Sequence, residues 1–364
     1  MELTRENVLE VLGRIQDPEL KNDIVSLSFV EELKIEDNTV SVKVLSSNPA
    51  LHARKRLHEA VEFNLKREFP NIVVKCSTIP LPSESKEVHR KVLPKVKNII
   101  AVASGKGGVG KSTITANIAG GLLKAGYTVG IVDADIYGPS MPTMFDVVNM
   151  RPKMLTIDGV PKIDPVETHG VKLLSIGFFT EQDNAVVWRG PMAAKALTQM
   201  FTDAEWGELD YLLIDLPPGT GDIHLSLVQN VPLDGAVIVS TPQEVALADA
   251  RKGINMFKLD TINVPVIGLV ENMAWFTPAE LPENKYYIFG RDGAKNLAEG
   301  MGVVLLGQIP LVQSIRESGD VGKPAVFQEN TVVSQAFDDL CKVFVEEVEK
   351  AKEQKSKKKH NAVV

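Results

Sequence analysis

A chain of 364 residues with 44% hydrophobic and 24% charged residues can bury one large or two smaller cores and has the makeup of a soluble globular protein. Its 47 acidic residues outnumber 40 Lys and Arg, a net charge of −7, which argues against general nucleic-acid binding. The polar start MELTRENVLE is not expected to be a signal peptide, no apolar run reaches the roughly 18 residues of a bilayer span, and Cys76 and Cys341 are the only cysteines, so no membrane or disulfide framework is expected and a reducing, cytoplasmic setting fits.

Residues 1–80 read as a small α/β (α+β) domain. Val8, Leu9, Leu12 and Ile15 have helical spacing within Leu3–Ile15, and two alternating stretches, Val30–Ile35 and Thr39–Leu45, flank the turn residues Glu36-Asp37-Asn38. A second helix over Ala50–Phe69 stops at Pro70, and Ile72–Cys76 is a last strand. Residues 81–98, polar and basic with two prolines, read as a linker in which His89 is a solvated histidine.

The β-branched run Ile99–Val102 then leads into Gly105-Lys106-Gly107-Gly108-Val109-Gly110-Lys111-Ser112-Thr113 and a helical pattern through Ala125. Strand, glycine loop and helix start together make a phosphate-binding P-loop. The glycines let backbone N–H groups turn inward, the helix N-terminus adds positive potential, Lys111 can reach the β- and γ-phosphates, and Ser112 can ligate Mg²⁺. Val132-Asp133-Ala134-Asp135 ends a second strand with two acids that either serve the site or cap the following turn. Tyr211–Asp215 is an apolar strand ending in an acid, the form of a Walker B, so Asp215 is expected in the Mg²⁺ shell. In Leu216-Pro217-Pro218-Gly219 the prolines stiffen the backbone, and Gly219 is expected to leave an N–H free for a γ-phosphate.

Further strands are expected near Thr128–Val132, Val171–Ile176, Ala236–Ser240, Val266–Val270 and Val303–Leu306. Short, continuous apolar runs alternating with helices predict a doubly wound, mostly parallel α/β sheet over residues 99–348. Val333, Phe337, Leu340, Phe344 and Val348 give Thr331–Val348 a core-facing helical stripe, and residues 349–364 are expected to form a disordered basic tail.

The loop KGGVGKS, with Lys106 early, resembles the deviant Walker A loop of MinD/ParA/nitrogenase-iron-protein ATPases. That resemblance implies that Lys106 reaches a partner's nucleotide across a homodimer and that Asp135 in switch I orients the attacking water, with Asp133 nearer the Mg²⁺ shell. It also implies that Asn272 in Glu271-Asn272-Met273 reads adenine, supported by the loop around Pro310. No Asn-Lys-x-Asp pattern stands in a guanine-reading position, so ATP is favoured over GTP. Asp17-Pro18-Glu19-Leu20 and Asp23–Leu27 resemble the SufT/PaaD domain of iron–sulfur assembly, although its Pro-x-Cys-Pro cysteine is replaced by Asn48-Pro49-Ala50-Leu51-His52.

Trp188–Met192, Trp206–Asp210, the Pro-Pro-Gly-Thr-Gly-Asp at 217–222, Ser240–Gln243, Glu271–Met273 and Ile288–Gly290 recur together in the Mrp/ApbC family. The resemblance covers residues of about 95 to 345 and implies an ATP-dependent, homodimeric iron–sulfur cluster carrier with scaffold and apo-protein clients. That family places Cys-x-x-Cys before Ile-Phe-Gly to hold a [4Fe–4S] cluster between subunits. Here residues 274–287 contain no cysteine or histidine, and Glu280 and Glu283 are hard oxygen donors unsuited to the cluster. The iron–sulfur ligands are therefore unassigned. A carrier with displaced ligands, a cluster-free ATPase switch, a MinD/ParA-like positioning ATPase and a P-loop ligase remain as readings.

Overall fold

Thr4 accepts the Asn7 amide at 3.3 Å and opens the first helix, Arg5–Leu12. The helix is shorter than its apolar spacing suggested because the chain turns at Gly13, but Ile15 is still buried. Strands β1 (Val30–Glu36) and β2 (Thr39–Ser46) pair antiparallel, and β3 (Val73–Pro80) adds parallel to β2. Val40, Val42 and Val44 alternate inward on β2 and meet Val61 and Leu65 from the helix Leu51–Glu68. The computed structural model describes the chain except residues 1–2, 18–19, 21, 37, 49–50, 81–92, 137, 180–189, 222–223, 225–226, 229–230, 279, 282 and 362–364. The expected linker with His89, Pro49-Ala50, Trp188-Arg189 and Asp222 thus fall wholly or largely outside the described residues. The chain divides into two compact units, Met1–Lys86 and Glu87–Val364.

In the second unit, β4 (Val96–Ala103) begins inside the stretch read as linker. It is followed by β5 (Val129–Asp133), the hairpin β6 (Lys153–Ile157) and β7 (Val160–Asp164), then β8 (Val166–Thr168) and β9 (Val171–Ser175). The remaining strands are β10 (Leu209–Asp215), β11 (Gly235–Ser240), β12 (Val266–Phe276) and β13 (Leu305–Leu311). Eight strands form one sheet in the order β13-β12-β11-β4-β10-β5-β9-β8, parallel except for β8. Ile99, Ala101 and Ala103 face one core, and Ile100 and Val102 face the other, so β4 is covered on both sides. The order reverses around β4, which opens the crevice at the strands' carboxyl ends where α/β sheets bind ligands.

Two expectations change, and one element is new. The last strand lies at Leu305–Leu311 instead of Val303–Leu306, because its pairing with β12 runs to Leu311. The hairpin β6–β7 had no counterpart in the sequence reading. Its turn is Asp158-Gly159 with φ of 50° and 80°, the left-handed pair that Asp-Gly supplies in tight hairpins. The tail is not disordered through Asn361: the terminal helix runs from Val332 to Asn361. Lys350–Glu347 and Lys352–Glu349 pairs support its extension, and Lys355 reaches Asp234 at 2.9 Å. At its start Thr331 and Ser334 exchange hydrogen bonds as a cap. Among the described residues, no helix is long and apolar enough to cross a membrane.

Phe344 is fully buried in the core between the terminal helix and the sheet. Phe344→Ala should cost about 3–5 kcal/mol of unfolding free energy by urea titration. A loss below about 1 kcal/mol would mean that this helix is not part of the core.

Candidate functional site

The glycine loop is held by close backbone approaches that side chains would block. Gly108 and Gly110 have φ of 81°, a left-handed conformation that glycine adopts without strain. A Cβ at Gly105 would overlap the backbone of Asp249 on the helix Glu244–Lys258. A Cβ at Gly110 would overlap the Asn272 amide nitrogen. Gly107 lies under Pro218, the second proline after β10. Val109 is buried, and Gly110 precedes the helix Lys111–Lys124, whose first amides are free of a side-chain cap. Thr113 sits in its first turn, where its carbonyl accepts from Asn117 at 2.8 Å.

At this helix start several donors converge on one carboxylate. Lys111 Nζ donates to Asp215 Oδ2 at 2.6 Å, Ser112 Oγ to the same oxygen at 2.6 Å, and Thr115 Oγ1 to Oδ1 at 2.7 Å. Lys111 Nζ also lies 3.9 Å from Asp135 Oδ2. Lys111 is 6% exposed, Asp215 0% and Asp135 9%, so these charges interact with little screening by water. Asp135 is oriented by the Gly138 amide at 3.2 Å.

Asp133 is placed differently from the Mg²⁺-shell role expected for it. It is fully buried, and its oxygens are filled by Ser175 Oγ at 2.8 Å, the Met141 amide at 3.1 Å and the Asp135 amide at 3.3 Å. It shapes the loop carrying Asp135. Burial, and next the Asp215 charge, push the Asp133 carboxyl up from 3.8 to about 7. Two carboxylates, Asp215 at 2.6 Å and Asp135 at 3.9 Å, thus flank the Lys111 ammonium, and burial holds the neighbouring His224 below its ordinary pKa.

Two further expectations change. The Gly219 N–H is not free: it donates to the Ser104 carbonyl at 2.9 Å, since φ of 100° at Gly219 folds the loop back onto the end of β4. Asn272 Nδ2 donates to the Val109 carbonyl at 2.8 Å, so the donor expected at adenine is engaged by the glycine loop. Pro310 is buried within β13, beside Ile309, which pairs with Asn272. Lys106 is exposed and has no ion-pair partner among the described residues.

The sequence reading missed Thr115, Ser175 and His224. Thr115 was legible as the residue four after Lys111, on the same helix face. His224 is 2% exposed with Nε2 2.5 Å from the Pro217 carbonyl, tying the Pro-Pro loop, and only the fold brings it near Lys111. Ser175 belongs to β9 and reaches Asp133 only through the sheet pairing.

The interval without cysteines begins on β12. Phe276 and Tyr286 exchange backbone hydrogen bonds of 2.8 Å each, and Lys285 Nζ lies 4.1 Å from the Trp275 ring centroid. Glu280 and Glu283 are exposed. Among the described residues no group of three or more His, Cys, Asp or Glu could hold a metal on protein ligands alone. Burial pushes the Cys76 thiol up to about 11 and the Cys341 thiol up to about 12, and Cys341 Sγ contacts the Ile118 carbonyl at 3.8 Å. Neither is poised as a thiolate ligand.

A family model described as NUBPL iron-transfer P-loop NTPase matches residues 95–345, and one described as iron-sulfur cluster assembly protein matches residues 5–75. The chain is 42% identical to an iron-sulfur cluster carrier protein of Synechocystis sp. over 90% of this chain and 92% of that one. It is 44% identical to an iron-sulfur cluster carrier protein of Escherichia coli K12, over 89% and 87%. Among solved structures, a nucleotide-binding protein of Archaeoglobus fulgidus in complex with ADP superposes with a TM-score of 0.58 at 38% identity, covering 68% of this chain and 95% of that one. The cell division ATPase MinD of Pyrococcus furiosus shares the fold, with a TM-score of 0.51 at 21% identity over 69% and 99%.

The folded state keeps a proton on Asp133 that the unfolded chain releases near 3.8. That group's contribution to stability is complete below about pH 4 and falls as pH rises to about 7. Urea titrations at several pH values should show this decline in the parent and a flatter profile in Asp133→Asn. Parallel profiles would assign the titration to another group.

Proposed function

Because this chain belongs to the NUBPL-type P-loop NTPases, the Mrp/ApbC iron–sulfur cluster carrier family with an iron–sulfur assembly domain in front, we propose that it binds Mg·ATP at Lys111–Asp215 and hydrolyses it slowly as a homodimer to drive iron–sulfur assembly. The observation that carries this reading is the convergence of Lys111, Ser112 and Thr115 on Asp215, with Asp135 alongside, at the open end of a glycine loop. Lys111 and the loop amides hold the phosphates, and a triphosphate would draw Lys111 away from its present partner Asp215. Ser112 and Asp215 are hard oxygen donors in a site with surplus negative charge, a set that fits Mg²⁺, which offsets phosphate charge when bound.

Asp135 orients the attacking water. Lys106, exposed and without an ion-pair partner among the described residues, completes the nucleotide site of a second copy. The Archaeoglobus fulgidus relative in complex with ADP supports nucleotide binding, and the absence of a guanine-reading pattern favours ATP.

The cluster is cargo, and this chain's residues do not fit it. A [4Fe–4S] cluster on a two-fold axis needs two thiolates from each copy, whereas Cys76 and Cys341 are protonated thiols belonging to different units. We therefore assign this chain the ATP-driven switch, with cluster thiolates supplied by an iron–sulfur scaffold or apo-protein client.

Lys111→Ala should abolish nucleotide binding by calorimetry. Lys106→Ala should bind nucleotide yet lose the rise in turnover per chain at high protein concentration; equal turnover in Lys106→Ala and the parent would overturn the shared dimer site. Anaerobic reconstitution with iron and sulfide should leave less than about one cluster per two chains on the purified protein. A stoichiometric cluster lost in a Cys76→Ser, Cys341→Ser variant would instead make this chain a carrier in its own right.

A further inference from the structure

We infer that Thr115 is a positioning residue for the metal site: it fixes one oxygen of the Asp215 carboxylate, so that the other can exchange the Lys111 ammonium for Mg²⁺. The inference rests on the Mg·ATP reading above and deepens it. The Asp215 backbone is already held, paired with Val102 on β4 and Asp133 on β5, and its carbonyl accepts the Ala134 amide at 2.9 Å. Only the rotation of the carboxylate remains to be set. Tyr211 and Leu213 pack in the same core as Ile114 and Ile118, so the two-residue period of β10 turns Asp215 toward the helix Lys111–Lys124.

The two carboxylate oxygens are served differently. Oδ2 accepts from Lys111 Nζ and Ser112 Oγ, each at 2.6 Å, whereas Oδ1 accepts from Thr115 Oγ1 at 2.7 Å. On the reading above, Lys111 moves to the phosphates and Ser112 serves Mg²⁺, so both donors on Oδ2 have another task. Thr115 has none. It is fully buried, one helical turn past Lys111, and stays with the helix whatever the loop does.

The side chain suits this work. A β-branched residue in a helix has few rotamers, and the one adopted here also brings Oγ1 within 3.0 Å of the Lys111 carbonyl. A hydroxyl has one proton to give. The carboxylate oxygen, nearer and charged, is the stronger acceptor and takes it. Without that hydroxyl the carboxylate is free to rotate, and once Lys111 leaves, Asp215 is a buried charge short of a donor.

The test compares the parent with Thr115→Val, which keeps the shape and loses the hydroxyl, and Thr115→Ser, which keeps the hydroxyl and loses the methyl. Affinity for a fluorescent, non-hydrolysable ATP analogue is measured in excess Mg²⁺ and again in EDTA. The ratio of the two affinities reads what the metal adds. It should fall about tenfold in Thr115→Val, as expected for one hydrogen bond to a buried charge, and be restored in Thr115→Ser. Thr115→Ala, which favours the helix and also lacks the hydroxyl, takes the place of the valine variant if that one does not fold.

A parental ratio in Thr115→Val, including an equal loss of affinity in both buffers, would make Thr115 a packing residue and overturn the inference while the Mg·ATP reading stands. A Thr115→Ser ratio as low as that of Thr115→Val would overturn it as well, because the hydroxyl would not be the cause. A parent whose affinity gains nothing from Mg²⁺ would overturn the Mg·ATP reading and this inference together.

Discussion

Lys111 and Asp215 form a buried ion pair, and the site is arranged around its cost. Removing two charges from water is expensive, and mutual attraction repays it only when the remaining hydrogen-bonding positions are filled. Ser112 and Thr115 fill them from the same helix turn that supplies Lys111. Asp215 comes from the strand beside β4, so the pair exists only because β4 and β10 are neighbours in the sheet. Asp135 then leaves the pocket with more negative than positive charge, and such a pocket favours cations. Burial first, and then the Asp215 charge, explains why Asp133 holds its proton toward neutrality.

The phosphate loop is bounded by three elements distant in sequence. The backbone at Asp249 packs on Gly105, Pro218 covers Gly107, and Asn272 packs on Gly110. The contacts at Gly105 and Gly110 work because those residues have no Cβ. These glycines thus serve two purposes, exposing amides to a ligand and admitting neighbouring elements that fix the loop's shape. His224 Nε2 on the Pro217 carbonyl and the Gly219 amide on the Ser104 carbonyl secure the Pro-Pro loop.

A nucleotide site and a cluster site ask for different donor chemistry. A nucleotide site needs hard oxygen donors, one ammonium and free amides, and the second unit supplies them at a single sheet crevice. A cluster needs soft, ionised thiolates. The two thiols here sit in environments that disfavour ionisation, and the stretch with no cysteine carries Trp275 and Phe276 at the end of β12 and Tyr286 beyond it.

The sequence alone determined the small unit, the parallel α/β unit, the phosphate loop and the acidic strand end, because each is written in local periodicity or in residue types that only one backbone shape accommodates. The Asp-Gly hairpin and Thr115 were equally local and could have been read. The terminal helix was misjudged past Val348 because a charge run resembles a solvated tail until its ion pairs and the Lys355–Asp234 contact are seen. Tertiary structure alone decided that Asp133 supports a loop, that the Gly219 amide is taken by Ser104, that His224 lies beside Lys111, and that Asn272 holds Val109. Those roles depend on which strands are neighbours and how deeply a side chain is buried, and hydrogen-bond partners separated by tens to hundreds of residues leave no periodic trace in the chain that joins them.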